Sequence, residues 1–239
     1  MGHSSSSQHK STSKSQPAVD EPSQVENTPA RLVSLPRLLI VDPSHFIVDG
    51  TTITRSTFGL NWQPSPIESP LFIEKAITEG VVSVTLTILA LFEIKETEGI
   101  HLGLFDSTAS LSLIEDSMKR GYDQRLGCDV YNSVAMKSCH GSLWCRKSSA
   151  KHNIALQLCH SDLKNGDCVR MEVNMDSTPR TLQFFVNGAA GYSYVSGLPS
   201  SVRIGISVSC FRISFRFDRI THNHRPTPIP PGMTEIKWN

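Results

Sequence analysis

The regular alternation of apolar and polar residues in the C-terminal half restricts the fold of this 239-residue chain more than any other feature. In the first such run, Val169, Met171 and Val173 are separated by single polar residues. Further runs of this kind follow at 181–186, 202–208 and 212–217. A period of two places successive side chains on opposite faces of a β-strand, whereas a helix would repeat every ~3.6 residues. The four runs therefore predict strands of an antiparallel β protein.

Short polar breaks next to these runs predict tight connections. Residues 177–180 include Pro179, which cannot donate to a strand ladder, and the break is short enough for a hairpin. Asn187-Gly188 follows the second run, and both residue types tolerate the positive φ of a two-residue turn. Asp49-Gly50, which lies between β-branched residues, predicts a type I′ hairpin earlier in the chain.

The C-terminal half also contains a series of short motifs. They are Gly166-Asp167, residues 171–176, Phe184-Phe185-Val186-Asn187-Gly188, Ser196-Gly197-Leu198-Pro199 and Val202-Arg203-Ile204-Gly205. In order and spacing this series resembles the C-terminal half of a SPRY domain, the core of B30.2 domains. The resemblance extends from Leu71 to Asp218, and residues 100–105 look like the family's early glycine-containing strand. Residues 84–87 replace the aromatic-rich opening of many members, so the chain resembles a divergent copy.

The resemblance implies an all-β fold, a two-sheet antiparallel β-sandwich of the concanavalin-like jelly-roll type. It also implies a non-catalytic adaptor that binds a peptide or a partner surface through loops at one end of the sandwich. The residue pattern agrees with this fold, because it predicts about a dozen short strands and no helix with convincing caps.

Differences in composition divide the chain into three regions. Residues 1–35 are rich in Ser and poor in large apolar side chains, and we expect them to be disordered because they cannot bury enough surface to offset the ordering entropy. Residues 36–220 hold the strand patterns and form the predicted sandwich. Residues 221–239 contain Pro226, Pro228, Pro230 and Pro231, which predict an extended, polyproline-like tail.

Aromatic and arginine side chains near loops are the candidate contacts with a partner. Such side chains supply a large contact area with few rotors to freeze. Tyr122 and Arg125 follow a long predicted loop, and Tyr131 and Trp144 belong to the next hairpin. We predict these four residues as the ligand-binding positions. The alternative for each Tyr and Trp is an ordinary half-buried place on a strand.

The motifs give little support to metal binding or catalysis. Cys and His residues crowd the region 139–168, and zinc prefers such ligands, but no Cys-x2-Cys or His-x3-His pair supplies two ligands from one turn. The chain also lacks a Gly-x-Ser-x-Gly elbow and a glycine-rich phosphate loop. We therefore predict no metal, no cofactor and no catalytic residue.

Charge and cysteine content bear on partners and location. The net charge is +1 and no Lys/Arg stripe is present, so nucleic acid is not predicted as a partner. Six cysteines without a signal peptide favour free thiols in a reducing compartment, with disulfides as the minor alternative. We expect a cytoplasmic monomer whose partner is an unidentified protein or peptide.

The N-terminus carries one modification pattern. Gly2 after Met1, with Ser6 four residues on, fits the pattern for N-myristoylation. One acyl chain gives only marginal membrane binding, so a membrane partner is predicted only if Gly2 is acylated. The alternatives are a chance match in a Ser-rich tail and the remnant of an expression tag.

A carbohydrate-binding or glycan-active concanavalin-like sandwich is the alternative function. It would need a concave sheet face lined by aromatic residues, and a hydrolase would also need two acids about 5–9 Å apart. No strand pattern shows an aromatic stripe at alternating positions. The sequence therefore favours peptide recognition.

Overall fold

The computed structural model describes most of the chain after residue 35. The described residues are 36–40, 46–55, 69–91, 99–109, 111, 112, 114, 126, 128, 130, 132–138, 141–146, 154–208, 213–222 and 225–238. The segment 1–35 with Gly2, and the candidate contacts Tyr122, Arg125 and Tyr131, lie outside these residues.

Sixteen strands form in the described part of the chain. They are β1 (Leu38–Ile40), β2 (Phe46–Asp49), β3 (Thr52–Arg55), β4 (Ser69–Ile73), β5 (Val81–Ala90), β6 (Ile100–Asp106), β7 (Ser133–Lys137), β8 (Ser142–Arg146), β9 (Ile154–Leu158), β10 (Cys168–Asn174), β11 (Thr181–Val186), β12 (Ala189–Ala190), β13 (Ser193–Ser196), β14 (Val202–Val208), β15 (Ser214–His222) and β16 (Thr234–Lys237).

The strands form two sheets that pack as a β-sandwich, which confirms the predicted fold class. One sheet has seven strands in the order β1-β4-β14-β6-β7-β8-β9. The other has nine, in the order β16-β13-β11-β10-β5-β15-β3-β2, with β12 paired to β11. The pairs that build the centre of each sheet are antiparallel, whereas β13 and β16 at one edge are parallel.

The core lies between the sheets and consists of the apolar members of the alternating runs. Each central strand directs every second side chain inward, as the period of two requires. The completely buried residues on these inner faces include Val84, Leu86, Ile88, Leu102, Leu104, Val169, Met171, Val173, Phe184 and Phe215. The sequence pattern thus predicted both the strands and the faces that they bury.

Two predicted turns can be compared with the structure. Asn187 and Gly188 have φ angles of 51° and 82°, and they connect β11 to β12 as the tight turn that their residue types predicted. In the earlier hairpin the register pairs Asp49 with Thr52, so the two turn residues are Gly50 and Thr51. That turn lies one residue later than predicted, because Asp49 still belongs to the ladder of β2.

The C-terminal segment differs from the extended tail that its prolines predicted. β15 continues through residue 222, and after the proline-rich stretch the chain forms β16 along β13. Ile236 is buried in the core and Trp238 packs against it. These two apolar side chains explain why the end of the chain adds a strand to the sheet.

The seven-stranded sheet also carries a small apolar cluster on its outer face. It consists of Phe72, Phe105, Ile114, Leu126, Val130 and Ala135. Ile114, Leu126 and Val130 come after β6 in the chain, and they cover the residues that the strands contribute. Residues 111, 112 and 114 are helical.

Candidate functional site

The ends of five central strands converge at one end of the sandwich. β4, β6 and β10 finish there, and β5 and β14 begin there, because the registers pair Asp106 with Val202, Asn174 with Val81, and Phe72 with Gly205. The connections that follow or precede these strands form a group that we call the loop end. It consists of residues 74–80, 106–109, 175–180 and 197–201.

Hydrogen bonds hold these connections in place. Arg203 donates through Nε to the Glu74 carbonyl at 3.1 Å and through Nη1 to the Ser107 carbonyl at 3.2 Å. Ile77 and Val202 exchange two backbone hydrogen bonds of 2.7 and 3.0 Å. The Gly80 N–H donates to Asp176 Oδ1 at 2.7 Å. Loops fixed in this way on a stiff sandwich provide a preformed binding surface.

A pocket of about 300 Å³ opens at the loop end and reaches between the sheets. Its floor is aliphatic and includes Ile73, Val84 and Ile204 from three different strands. Ala76, Ile77 and Ile220 complete its apolar wall, while Lys75, Thr78, Glu79 and His222 form a polar rim. Its volume is at the lower limit of the ~300–1,000 Å³ typical of ligand pockets.

The rim carries both signs of charge. Lys75, Glu79 and His222 are all solvent-exposed, in contrast to the buried floor. Exposed charges of this kind influence association rate and specificity more than affinity. The pocket can therefore bury an apolar group while charged groups next to that group meet the rim.

A β-bulge explains why sequence reasoning missed part of this pocket. The register of β15 against β5 shifts between Phe217 and Arg219. Beyond that shift Ile220, rather than Arg219, lies in the pocket wall, so the simple alternation that ends at Phe217 does not continue. The sequence did contain a signal of this bulge. The apolar residues of the alternating run that ends at Phe217 are at odd positions, whereas the next apolar residue, Ile220, is at an even position.

Trp144, the predicted contact residue that the structure describes, lies within β8 and not in a loop. Its neighbours Leu143 and Cys145 face the core, so Trp144 is on the outer face of the seven-stranded sheet, where it is half-buried. The indole Nε1–H donates to Ser142 Oγ at 2.8 Å, and Lys137 Nζ lies 5.8 Å from the ring centroid.

The register connects Trp144 to the other predicted contacts only indirectly. Trp144 pairs with Ala135, a member of the outer apolar cluster to which Leu126 and Val130 also belong. Leu126 immediately follows Arg125 in the sequence, and Val130 immediately precedes Tyr131. The structure thus places Trp144 beside described neighbours of the predicted loop residues, on a sheet face and not in the pocket at the loop end.

Cys159 and His160 are adjacent in sequence and both buried, which raises the question of a nucleophile and a base. Burial raises the pKa of the Cys159 thiol to about 12, against a smaller opposite effect from a backbone hydrogen bond with Ser193. Burial lowers the pKa of His160, and a contact with the Phe184 carbonyl opposes that shift. A thiol that stays protonated at neutral pH is a poor nucleophile, so the pair suits packing better than catalysis.

The described residues also bear on metal and membrane binding. Within the described ranges, no three His, Cys, Asp or Glu side chains form a group that could hold a metal ion. Cys139, His140 and His152 from the crowded region lie outside those ranges. Cys159 and Cys168 are free thiols. In the same ranges, no helix has the length and hydrophobicity needed to cross a bilayer.

Comparison with solved structures identifies the fold as that of a divergent SPRY domain. The SPRY domain of human HERC1 superposes with a TM-score of 0.50 at 14% sequence identity, over 74% of this chain and 96% of that one. The TRIM65 PSpry domain gives a TM-score of 0.46 at 10% identity, over 76% and 92% of the two chains. The carbohydrate-binding module CBM66 from Bacillus subtilis gives 0.45 at 8%, over 79% and 96%. No protein-family model matches the chain, and no curated protein matches it by sequence.

Proposed function

We propose that this chain is a non-catalytic protein-interaction module that binds an extended peptide at the loop end, with one apolar side chain of the peptide in the pocket. The observation that supports this most strongly is the pocket itself, with its aliphatic floor and charged rim. Full burial of a Leu or Phe side chain contributes about 1.5–3 kcal/mol. A single apolar anchor of this kind is suited to the recognition of a short peptide segment, and the rim charges would select the peptide residues next to the anchor.

The composition of the pocket favours a peptide over a sugar. Its lining contains no Phe, Tyr or Trp among the described residues, and Glu79 is its single acidic residue there. A glycosidase would need two carboxyl groups about 5–9 Å apart, and a lectin of this shape would need aromatic or amide side chains around the sugar. The SPRY fold supports the same choice, because the resemblance to that family implies protein recognition.

The test of the binding class uses the purified full-length chain against two libraries. One is a display library of random peptides, and the other is a glycan array. We expect the peptide library to converge on sequences that share one apolar anchor next to charged residues, and we expect no glycan to bind saturably. Saturable glycan binding without any selected peptide would replace the proposal with the carbohydrate-binding alternative.

A further inference from the structure

The proline-rich segment after β15 lies across the outer face of the nine-stranded sheet, where Thr227 makes its contacts. All three polar groups of Thr227 have partners on β10 and β11. Its N–H donates to Glu172 Oε1 at 2.7 Å and its hydroxyl donates to Glu172 Oε2 at 2.9 Å. Its carbonyl accepts a hydrogen bond of 2.9 Å from Gln183 Nε2. One residue of an extended segment is thus bound through N–H, O–H and C=O together.

Glu172 is the central group of this arrangement. It belongs to β10 on the face opposite the core, yet it is only 2% exposed. Arg170 pairs with its carboxylate and also lies 3.6 Å above the ring centroid of Phe185, which fixes the guanidinium. A buried carboxylate is costly unless it is paired and hydrogen-bonded, so the site needs donors such as those of Thr227.

Gln183 shows that the resident segment does not use the site completely. This side chain is 3% exposed, and its Oε1 has no hydrogen-bond partner among the described residues. Buried polar atoms are nearly always hydrogen-bonded, so this acceptor is a hydrogen-bonding position that the resident segment leaves unmatched and that a different segment could match. Reversal of the amide would place Oε1 against the Thr227 carbonyl, and two acceptors would then face each other, so Nε2 is the atom that points to Thr227.

We propose that Arg170, Glu172 and Gln183 form a second peptide site, which recognises an unmodified threonine in an extended segment of a partner protein. Residues 225–231 are its resident occupant. A partner segment that supplies the same three groups, and one further N–H to Gln183 Oε1, displaces them. This site lies on a sheet face and shares no residue with the loop end. A negative result at one of the two sites therefore does not refute the proposal for the other.

The resident segment is suited to displacement. Residues 225–230 form no strand, and Pro226, Pro228 and Pro230 have no N–H to donate to a ladder. Ile229 is 38% exposed and is not a member of the core cluster. β16 beyond it is held separately by its pairing with β13. The segment can therefore leave Glu172 while β16 stays in the sheet.

The experiment uses a fluorescent peptide with the sequence of residues 223–231 and the full-length chain. A resident segment tethered to its site competes at a high effective concentration, so wild-type protein should bind the peptide weakly. Thr227→Val weakens the resident segment, and we expect this variant to bind the peptide about tenfold more tightly, as the loss of a hydrogen bond to a charged group predicts. The matched variant Thr52→Val, which leaves the resident segment intact, should behave as wild type.

Changes in the peptide and the site make the test specific. A peptide with valine or phosphothreonine in place of threonine should bind the Thr227→Val chain at least about tenfold more weakly, since it lacks the hydroxyl donor or brings negative charge to Glu172. Adding Glu172→Gln to the Thr227→Val chain should abolish the preference for threonine. Equal affinity for the threonine and valine peptides would overturn the proposal, and so would no saturable binding by a folded Thr227→Val chain.

Two further measurements cover the remaining outcomes. If light scattering shows that the Thr227→Val chain dimerises by exchange of this segment, the surface serves a second copy and the partner proposal is wrong. If that variant fails to melt cooperatively, the threonine peptide is titrated in excess into the wild-type chain and the amide resonances of Arg225 and Ile229 are followed. We expect these resonances to shift to the positions typical of an unbound chain. Resonances that stay unchanged at saturating peptide would contradict displacement of the resident segment.

Discussion

Cys159 shows how burial decides the chemistry of a single side chain. Its thiol is completely buried against the chain at Ser193, and a Cβ on Gly191 would approach its Sγ to 2.7 Å. The pKa of about 12 follows mainly from this burial, because a thiolate there would lose its hydration. The residue therefore acts as a small core side chain in the folded protein.

Thiol labelling tests the buried state of Cys159. We expect maleimide at neutral pH to label the partly exposed Cys168 in the native protein well before Cys159, because labelling needs an accessible thiolate. Peptide mapping by mass spectrometry after timed quenching gives both rates. In denaturant the two cysteines should react alike. Native labelling of Cys159 as fast as Cys168 would contradict its buried, protonated state.

His160 predicts a pH dependence of stability. Burial lowers its pKa in the fold below the usual ~6.5, so the unfolded chain binds this proton more readily. The free energy of unfolding should therefore fall as the pH falls from about 6.5 through the lowered pKa, and should be insensitive to this group above 6.5. Thermal melts between pH ~5 and ~7.5 measure the effect.

A pair of histidine variants isolates the contribution of His160. His160→Gln should lose part of the decrease in Tm on acidification, whereas the exposed His222→Gln should follow the wild-type curve. The same acid slope in His160→Gln as in wild type would show that His160 is not the group responsible.

Among the strands, β14 and β6 approach the outer apolar cluster through paired glycines. Gly103 and Gly205 are opposite each other in the register of these strands. A Cβ on Gly205 would lie 2.8 Å from Leu126 Cδ1 and 2.9 Å from Phe72 Cδ1, closer than carbon atoms pack. The glycine therefore lets Leu126 lie directly on the sheet.

Substitution of Gly205 tests that packing. We expect Gly205→Ala to destabilise the protein by about 1–3 kcal/mol through overpacking. Leu126→Ala removes one of the two side chains in the way, so the double variant should lose less stability than the sum of the two single changes. Denaturant melts of the four proteins give the coupling. If the losses of stability in the two single variants added up to the loss in the double variant, the outer apolar cluster would not pack against Gly205.

Across the molecule, the period-two pattern predicted an antiparallel β protein because each strand buries one of its faces, and the resemblance to SPRY domains implied the two-sheet sandwich. The same pattern could not reveal β16, since Ile236 and Trp238 are isolated apolar residues after four prolines, and only the open edge of β13 gives them a place. Nor could it reveal the pocket, whose wall depends on the bulge in β15 and on loops joined by Arg203. Trp144 was predicted as a contact residue, and the structure places it half-buried on a strand, which is the alternative that the sequence left open.

Calorimetry with a peptide selected by the full-length chain measures peptide binding in the pocket at the loop end. Ala76 lines the pocket, so Ala76→Phe should fill it and weaken binding at least about tenfold, the equivalent of the buried anchor. Trp144→Ala, on the outer face of the seven-stranded sheet, should leave the affinity unchanged. If a folded Ala76→Phe variant bound the peptide with full affinity and the Trp144→Ala variant bound it more weakly, binding in the pocket would be contradicted. The binding site would then lie on the sheet face that carries Trp144.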